Sequence, residues 1–281
     1  MRRVLYFILI FLLSQSVLAS EGQLTITFFD VGIADAALIE TPAGEHILID
    51  GGTEEGGGKV ANYLKSRRVK TIDIMIATHP HPDHVGGLAK ILREFEVRSL
   101  YDTGMEYECE GFAAYREALK AFKGTTTTLF GRMILSLPSG VHLDFLNPKR
   151  QAKHIHTDCI VVRIRYGDIA ALFTGDANDV TEGVLLFDEV PLKSDILKVS
   201  HHGASDATGE EFLKAVAPRY AVIPVTAPNK YGRPHQVVLD RLKSMGIAVY
   251  RTDECGDITF TTDGKSVGAP KCTRKLSKEH Q

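Results

Sequence analysis

The 281-residue sequence predicts an α/β domain in which two β-sheets carry helices on their outer faces and two halves share one core. Three observations lead there. Short apolar runs rich in β-branched residues recur along the chain, each ending near Gly, Pro or Asp. Between them lie segments whose apolar residues fall three or four apart. No low-complexity segment, short repeat or long linker divides the chain.

In chain order, strands are expected at Leu24–Phe29, Ala36–Glu40, His46–Asp50 and Ile72–Thr78, the last apolar enough to be buried on both faces. Helices are expected at Lys59–Arg68, Val85–Phe95 and Phe112–Phe122, so the first half runs strands, helix, strand, helix, strand, helix. The second half is less regular. Its strands are expected at Val141–Leu146, Ile160–Tyr166, Ile169–Thr174, Ile196–Val199, Ala221–Val225 and Ala248–Arg251. Its helices are expected at Ala177–Phe187, Thr208–Ala215 and Gln236–Met245, with Asp206 or Thr208 available to cap the second. Asp257–Thr262 and Ser266–Ala269 read as a terminal hairpin around Asp263-Gly264.

The chain begins MRRVLYFILIFLLSQSVLAS: two arginines, an apolar run from Val4 to Leu13, then the small-residue site Val17-Leu18-Ala19. These are the three parts of a secretory signal peptide. A retained anchor is the rival reading, but the apolar run is shorter than the roughly 20 residues of a spanning helix. The expectation is a signal peptide over 1–19, a single domain over 20–281, and a secreted or periplasmic location with no later membrane span. Without residues 1–19 the chain carries 31 basic and 35 acidic side chains. That balance argues against wholesale coating of nucleic acid, so an anionic substrate would need a local site. Four cysteines are too few to frame the fold. Cys255 and Cys272, flanking the terminal hairpin, are the favoured disulfide pair, with two unpaired thiols as the alternative.

The stretch THPHPDHVGGL, residues 78–88, concentrates His79, His81, Asp83 and His84. Pro80 and Pro82 push the residues before them into extended backbone, and side chains two apart on an extended segment share a side. His79 and His81 are thereby aimed at one ion. Asp83 and His84 follow where the chain turns into a helix, which redirects them toward a second. Imidazole and carboxylate suit zinc and related divalent ions, and the end of a buried strand is where α/β proteins place their sites.

Other strand ends supply further candidates: Asp176 in LFTGDAND, otherwise a helix N-cap, and His201-His202 in LKVSHHGASD, one a ligand and the other its supporting partner. Asp30 in FFDVGIADA and Asp50 in LIDGG also end strands; beyond their turn chemistry, they are expected to orient ligating histidines by hydrogen bonds.

These motifs carry a resemblance. H-x-H-x-D-H followed by Gly-Gly, a strand-ending Gly-Asp and a later His resembles the metallo-β-lactamase superfamily, which implies a four-layer αββα sandwich with one or two metals. FFDVGIADA, LIDGG, THPHPDHVGGL, LFTGDA, DILKVSHHGAS, NKYGRPH and YRTDECGDITF together resemble the metal-dependent domain of the competence protein ComEC family, in the same order over almost the whole chain after residue 19. There are departures. The family has Asp-Val-Gly-Gln-Gly-Asp where residues 30–35 read Asp-Val-Gly-Ile-Ala-Asp, and an Asn-x-x-Ser element where His156 and Cys159 stand. It has Ser at Ala204 and His at Arg233. Many superfamily members take a third histidine for the first metal from this region, and His154-Ile155-His156 offers one; the family position favours His156.

The expected site therefore has His79, His81 and His156 on one ion, Asp83, His84 and His201 on another, Asp176 bridging and His202 in support. Two divalent ions, zinc with manganese as the alternative, would make water a nucleophile near neutral pH. Asp83 and Asp176 are the carboxylates on which that catalysis depends. The ComEC resemblance implies phosphodiester hydrolysis of DNA or another nucleotide; lactam, lactone or ester hydrolysis and a non-catalytic metal-binding role are the alternatives. Lys198, Asn229, Arg233 and His235, with Lys230, are expected to contact substrate, Arg233 as a fork for phosphate oxygens.

Overall fold

The computed structural model describes residues 22–274. The expected signal peptide lies outside the described residues. The strands of the first half are β1 (Leu24–Phe28), β2 (Ala37–Glu40), β3 (His46–Ile49), β4 (Thr71–Ile76), β5 (Glu96–Asp102), β6 (Thr125–Thr128) and β7 (Met133–Ser136). Those of the second are β8 (Val141–Asn147), β9 (Val161–Tyr166), β10 (Ile169–Phe173), β11 (Ile196–Lys198), β12 (Tyr220–Ile223), β13 (Ala248–Arg251), β14 (Ile258–Thr262) and β15 (Lys271–Cys272). The helices are α1 (Glu54–Ser66), α2 (Pro82–Val85), α3 (Leu88–Glu94), α4 (Glu110–Ala121), α5 (Asp179–Phe187), α6 (Glu210–Val216), α7 (Gln236–Ser244) and α8 (Thr252–Cys255).

Two mixed sheets result, one in the order β15-β14-β1-β2-β3-β4-β5-β6 and the other β13-β12-β11-β10-β9-β8-β7. Period-2 strands bury one face against the other sheet, where Phe28, Phe145, Ile164, Phe173, Val222 and Phe260 form the central core. The outer face of the first sheet packs Leu38, Leu48 and Met75 against Val60, Leu64 and Ile91 of the helices. Leu172, Leu197 and Ala221 do the same against Leu185, Phe212 and Val238 on the second. The architecture is the four-layer αββα sandwich. Among the described residues no helix is long and apolar enough to cross a membrane.

The expected elements form with shifted ends, and several expectations need correction. The helix expected over Val85–Phe95 is two, because Gly86-Gly87 lets the chain break between α2 and α3. Gly87 is required there, since a Cβ on it would stand 2.0 Å from Gly51 O. Helix α1 begins at Glu54 rather than Lys59 despite three glycines: Thr53 Oγ1 accepts from Gly56 N, and Gly57 admits the Gly87 backbone. Neither Asp206 nor Thr208 caps α6 by its side chain. The Glu182 carboxylate does so from α5, accepting from Thr208 N and Gly209 N. In the terminal hairpin only Val267 bridges back to Thr262, and β14 pairs with β1 on one side and β15 on the other. Cys255 and Cys272 come together as expected but as free thiols; burial, then contact with Cys272, pushes the Cys255 thiol up to about 12.

Candidate metal centre

Strand β4 delivers Thr78 and His79 from its carboxyl end, and Pro82 at the first turn of α2 holds His81 in extended backbone. The neighbouring loops lock onto this segment through the backbone: Asp35 N donates to Asp83 O (3.1 Å), Gly51 N to His84 O (2.8 Å) and Gly87 N to Gly52 O (2.9 Å). The second sheet delivers Asp176 after β10 and the Ser200–Gly203 turn after β11. In that turn His201 and His202 both adopt left-handed backbone, with φ of 49° and 53°. Such strain costs about 1–3 kcal/mol per residue and persists where the surroundings impose it.

Two groups of donor atoms face one another across Asp176. His79, His81, His156 and Asp176 form the first, and Asp83, His84, Asp176 and His202 the second, the atoms of each lying within 4.8 Å of one another. In the first, His79 Nε2 is 3.0 Å from His81 Nδ1 and 3.6 Å from Asp176 Oδ2, and the His156 ring centroid lies 4.9 Å from that of His81. In the second, Asp176 Oδ1 is 3.3 Å from His84 Nε2, and Asp83 Oδ2 is 3.4 Å from His202 Nε2.

Each inner histidine is oriented by the ring nitrogen that points away from the cluster. His79 Nδ1 lies 3.1 Å from Thr78 Oγ1, which itself donates to Asp50 Oδ2. His84 Nδ1 lies 2.8 Å from Asp50 Oδ2, and His202 Nδ1 lies 2.8 Å from Pro224 O. When those nitrogens carry the proton, the Nε2 lone pairs converge. His84 Nε2, His156 Nε2, His202 Nε2 and Asp176 Oδ1 are all buried and make no hydrogen bond. Buried polar atoms without partners are costly, and three imidazole nitrogens gathered with one carboxylate oxygen fit divalent cations. The donor set therefore suits the metals the sequence implies.

The electrostatics agree. Burial, reinforced by His84, holds His79 well below its ordinary value against the pull of Asp176, and burial lowers His81 against Asp83. Both rings are thus neutral and ready to donate a lone pair. Burial opposes charge on His84 as well, but Asp176, Asp50 and Asp35 outweigh it and raise its pKa. Burial likewise raises Asp176, and the surrounding histidines, His84 foremost, bring it well below the carboxylate range.

Several expected site residues stand elsewhere. The expectation made His201 the ligand and His202 its support; in the structure it is His202 whose ring joins the second donor group. The His201 ring lies tilted against His156 with ring centroids 4.5 Å apart and reaches Asp176 Oδ2 at 3.4 Å, outside both groups. His156 takes the third place in the first group, and His154 is exposed. Asp50 orients His84 as expected. Asp30 does not approach the histidines: its carboxylate pairs with Arg274, tying β1 to the C-terminal segment.

Lys198 is not a solvent-facing donor. It is buried, donates to Gly175 O (2.8 Å) and forms an ion pair with Asp35. Asp35, the final acid of FFDVGIADA, is the residue that sequence reasoning missed; with Asp50 it backs His84. Asn229 spends its side chain inside its own loop, donating to Thr226 O and Arg233 O and accepting from the amides of Tyr231 and Arg233. His235 accepts from Ser205 N through Nδ1 (2.9 Å), fastening that loop to the His201-His202 turn. Among the described residues, Arg233 and Lys230 of the expected substrate contacts form no ion pair; the Arg233 Nε is buried without a partner, and its charge acts on His201.

The fold and this donor set define a metal-dependent hydrolase, and the chain belongs to the Metallo-beta-lactamase superfamily, whose family model matches residues 29–226. Among curated relatives it is 27% identical to ComE operon protein 3 of Bacillus subtilis over 86% of this chain and 33% of that protein. It is 28% identical to Competence protein ComA of Neisseria gonorrhoeae over 85% of this chain and 32% of that one. The chain thus spans about a third of the length of these relatives. Among solved structures, the metallo-beta-lactamase fold protein YhfI from Bacillus subtilis superposes with a TM-score of 0.56 at 13% identity, covering 85% of this chain and 99% of that one.

Proposed function

We propose that this hydrolase is exported and cleaves phosphodiesters, in DNA or a smaller nucleotide, with two divalent ions, zinc or manganese, in the paired groups. The observation that carries this reading is Arg233, whose charge acts on His201 and whose buried Nε lacks a partner. A guanidinium fork matches two phosphate oxygens, and a neutral lactam offers nothing to match it. The resemblance to the ComEC family points the same way.

When bound, the metals lower the pKa of a water toward neutrality and polarise the phosphoryl group. The chain's own part is positional. His79 and His81 present neutral lone pairs, His84 and His202 turn Nε2 toward the second group, Asp176 serves both groups, and Arg233 holds the phosphate so that its charge is met as it develops. Burial lowers the His201 imidazole to about 4 against the pull of Asp176, so this ring is neutral at working pH and can accept a hydrogen bond from the substrate side.

The test assays bis-p-nitrophenyl phosphate, single-stranded DNA and a β-lactam side by side with the zinc- and the manganese-loaded protein, then repeats the set with Arg233→Ala. Phosphodiester turnover that falls about 10²-fold in the variant is expected; lactam turnover alone rejects the reading. Export rests on the segment MRRVLYFILIFLLSQSVLAS, and N-terminal sequencing of the protein from the extracytoplasmic fraction tests it, a start near Ser20 being expected.

A further inference from the structure

Resting on the reading that an anionic substrate lies at the metals, we infer that the same substrate carries an amino group, held by Asp102 and Tyr115 in a separate cavity beside the first donor group. The cavity, of about 80 Å³, lies where β4 and β5 end, and His79, Asp102, Met105, Phe112, Tyr115 and Leu119 line it. Ligands of open α/β sheets bind beyond such strand ends. His79 belongs both to the first donor group and to the cavity wall. The loop after β5 also leans on the metal centre, since the Tyr107 ring lies 4.9 Å from that of His81.

Two oxygens on this cavity are left open. Tyr115 is 2% exposed, and its hydroxyl has no hydrogen-bond partner among the described residues. Buried tyrosine hydroxyls ordinarily find one. Asp102 uses Oδ1 for its own turn, accepting from Gly104 N (3.0 Å) and Thr128 Oγ1 (3.3 Å), which leaves Oδ2 without a partner among the described residues. Arg116 and Glu106 also line the cavity, but both are exposed and pair with each other at 2.6 Å. The unmatched charge is that of Asp102. An amino group answers both oxygens, donating to the carboxylate and to the phenol, and as an ammonium it also meets the charge. A carbonyl or phosphate oxygen would set acceptor against acceptor. Phe112 and Tyr115, with ring centroids 6.1 Å apart, and the Met105 and Leu119 side chains suit the carbon that bears the amine. Size narrows the choice further. One water takes about 10–15 Å³ and a cavity of about 150 Å³ admits benzene, so about 80 Å³ suits an amino group with its adjoining carbons. A nucleobase would insert its amino edge and leave the ring outside.

The experiment is calorimetry on the zinc-loaded full chain. One arm compares 2-aminoethyl-, 2-hydroxyethyl- and ethylphosphonate and their three-carbon homologues, whose anionic end suits the metals. The other compares dCMP with dUMP, which carry an amine and a carbonyl at the same ring position. The amino member should bind about ten-fold more tightly than its partners in one arm, and that arm tells an aliphatic ammonium from a base amine. Asp102→Asn should bring the ratio close to one. Tyr115→Phe, which keeps the packed ring and serves if the Asn variant folds poorly, should lower it about three-fold. Ratios taken within one variant cancel any change in metal loading. Equal binding of amino, hydroxyl and carbonyl members in both arms, as a cavity holding only water would give, overturns the inference. So does an amino preference that survives both substitutions. Failure of all these anions to bind would reject the anion at the metals and this inference with it. An amino preference beside no turnover of bis-p-nitrophenyl phosphate would instead reject the phosphodiesterase reading and leave the cavity's ligand assigned.

Discussion

His79, His81, Asp83 and His84 come from one continuous stretch of the first half, whereas His156, Asp176 and His202 come from separate loops of the second. The two sets are held differently. In the first half, backbone amides of Asp35, Gly51 and Gly87 clip neighbouring loops together, and glycines make room for it. In the second half, side chains do the fastening inside the core: Lys198 reaches Gly175 O and Asp35, Thr174 Oγ1 donates to Lys198 O, and Glu182 grips the start of α6. Away from the glycines that make room for them, backbone clips tolerate side-chain substitution. Buried charges do not, so single substitutions should cost more in the second half.

Asp176 is the hinge of this comparison, since it belongs to both donor groups. Asp176→Ala should release metal from both and lower turnover by about 10³-fold with the fold intact. Metal analysis by mass spectrometry beside the phosphodiester rate checks it; a variant that keeps its metals and most of its rate would reduce Asp176 to a turn residue.

Lys198→Met asks whether the second half is fastened by charge. Removing the cation leaves Asp35 buried without its partner, which costs about 3–5 kcal/mol when one member of such a pair is lost. Urea unfolding of the metal-loaded protein reads this directly. A loss under 1 kcal/mol would fit a solvent-facing lysine of the kind the sequence alone led us to expect, since exposed pairs contribute about that much or less.

That lysine also marks where the sequence stops being informative. Strand ends, the proline-spaced histidines and the glycine pair are local signals, so the first half of the site and the αββα layering were legible. Whether Lys198 faces solvent or core depends on β11 being covered on both faces, with all three of its residues buried. The order of His201 and His202 depends on two successive left-handed residues, which neither histidine's identity announces. Asp35 was hidden for a related reason: nothing within FFDVGIADA tells which of its two acids turns inward, and only packing sends Asp30 to Arg274 and Asp35 to Lys198.

The histidine pair can be tested against itself. His202→Ala should lose the ion of the second group and about 10–100-fold in rate, whereas His201→Ala should keep its full metal content. Equal metal loss in the two variants would break the assignment made from the turn.

The smallest effect concerns Glu182, which lies behind the centre and shapes the loop that carries the histidine pair. Burial raises its carboxyl to about 7, and the amides of Gly209 and Thr208 and the charge of Arg241 offset only part of that shift. The folded value lies above the carboxyl's ordinary 4.5, so the protonated form is favoured in the fold. The resulting stability is fully present below pH 4.5 and is lost as the pH rises through about 7. The change across this window is on the order of 3 kcal/mol if no other group compensates. Glu182→Gln is neutral throughout and can accept from only one of the two amides by its carbonyl oxygen, so it should be less stable at pH 5 yet lose less between pH 5 and pH 8. Urea unfolding of both proteins at the two pH values, in the same metal-loaded state, compares the slopes and cancels titration shared by the two. Identical slopes would mean that Glu182 titrates as an ordinary surface carboxylate and that the cap on α6 holds by geometry alone.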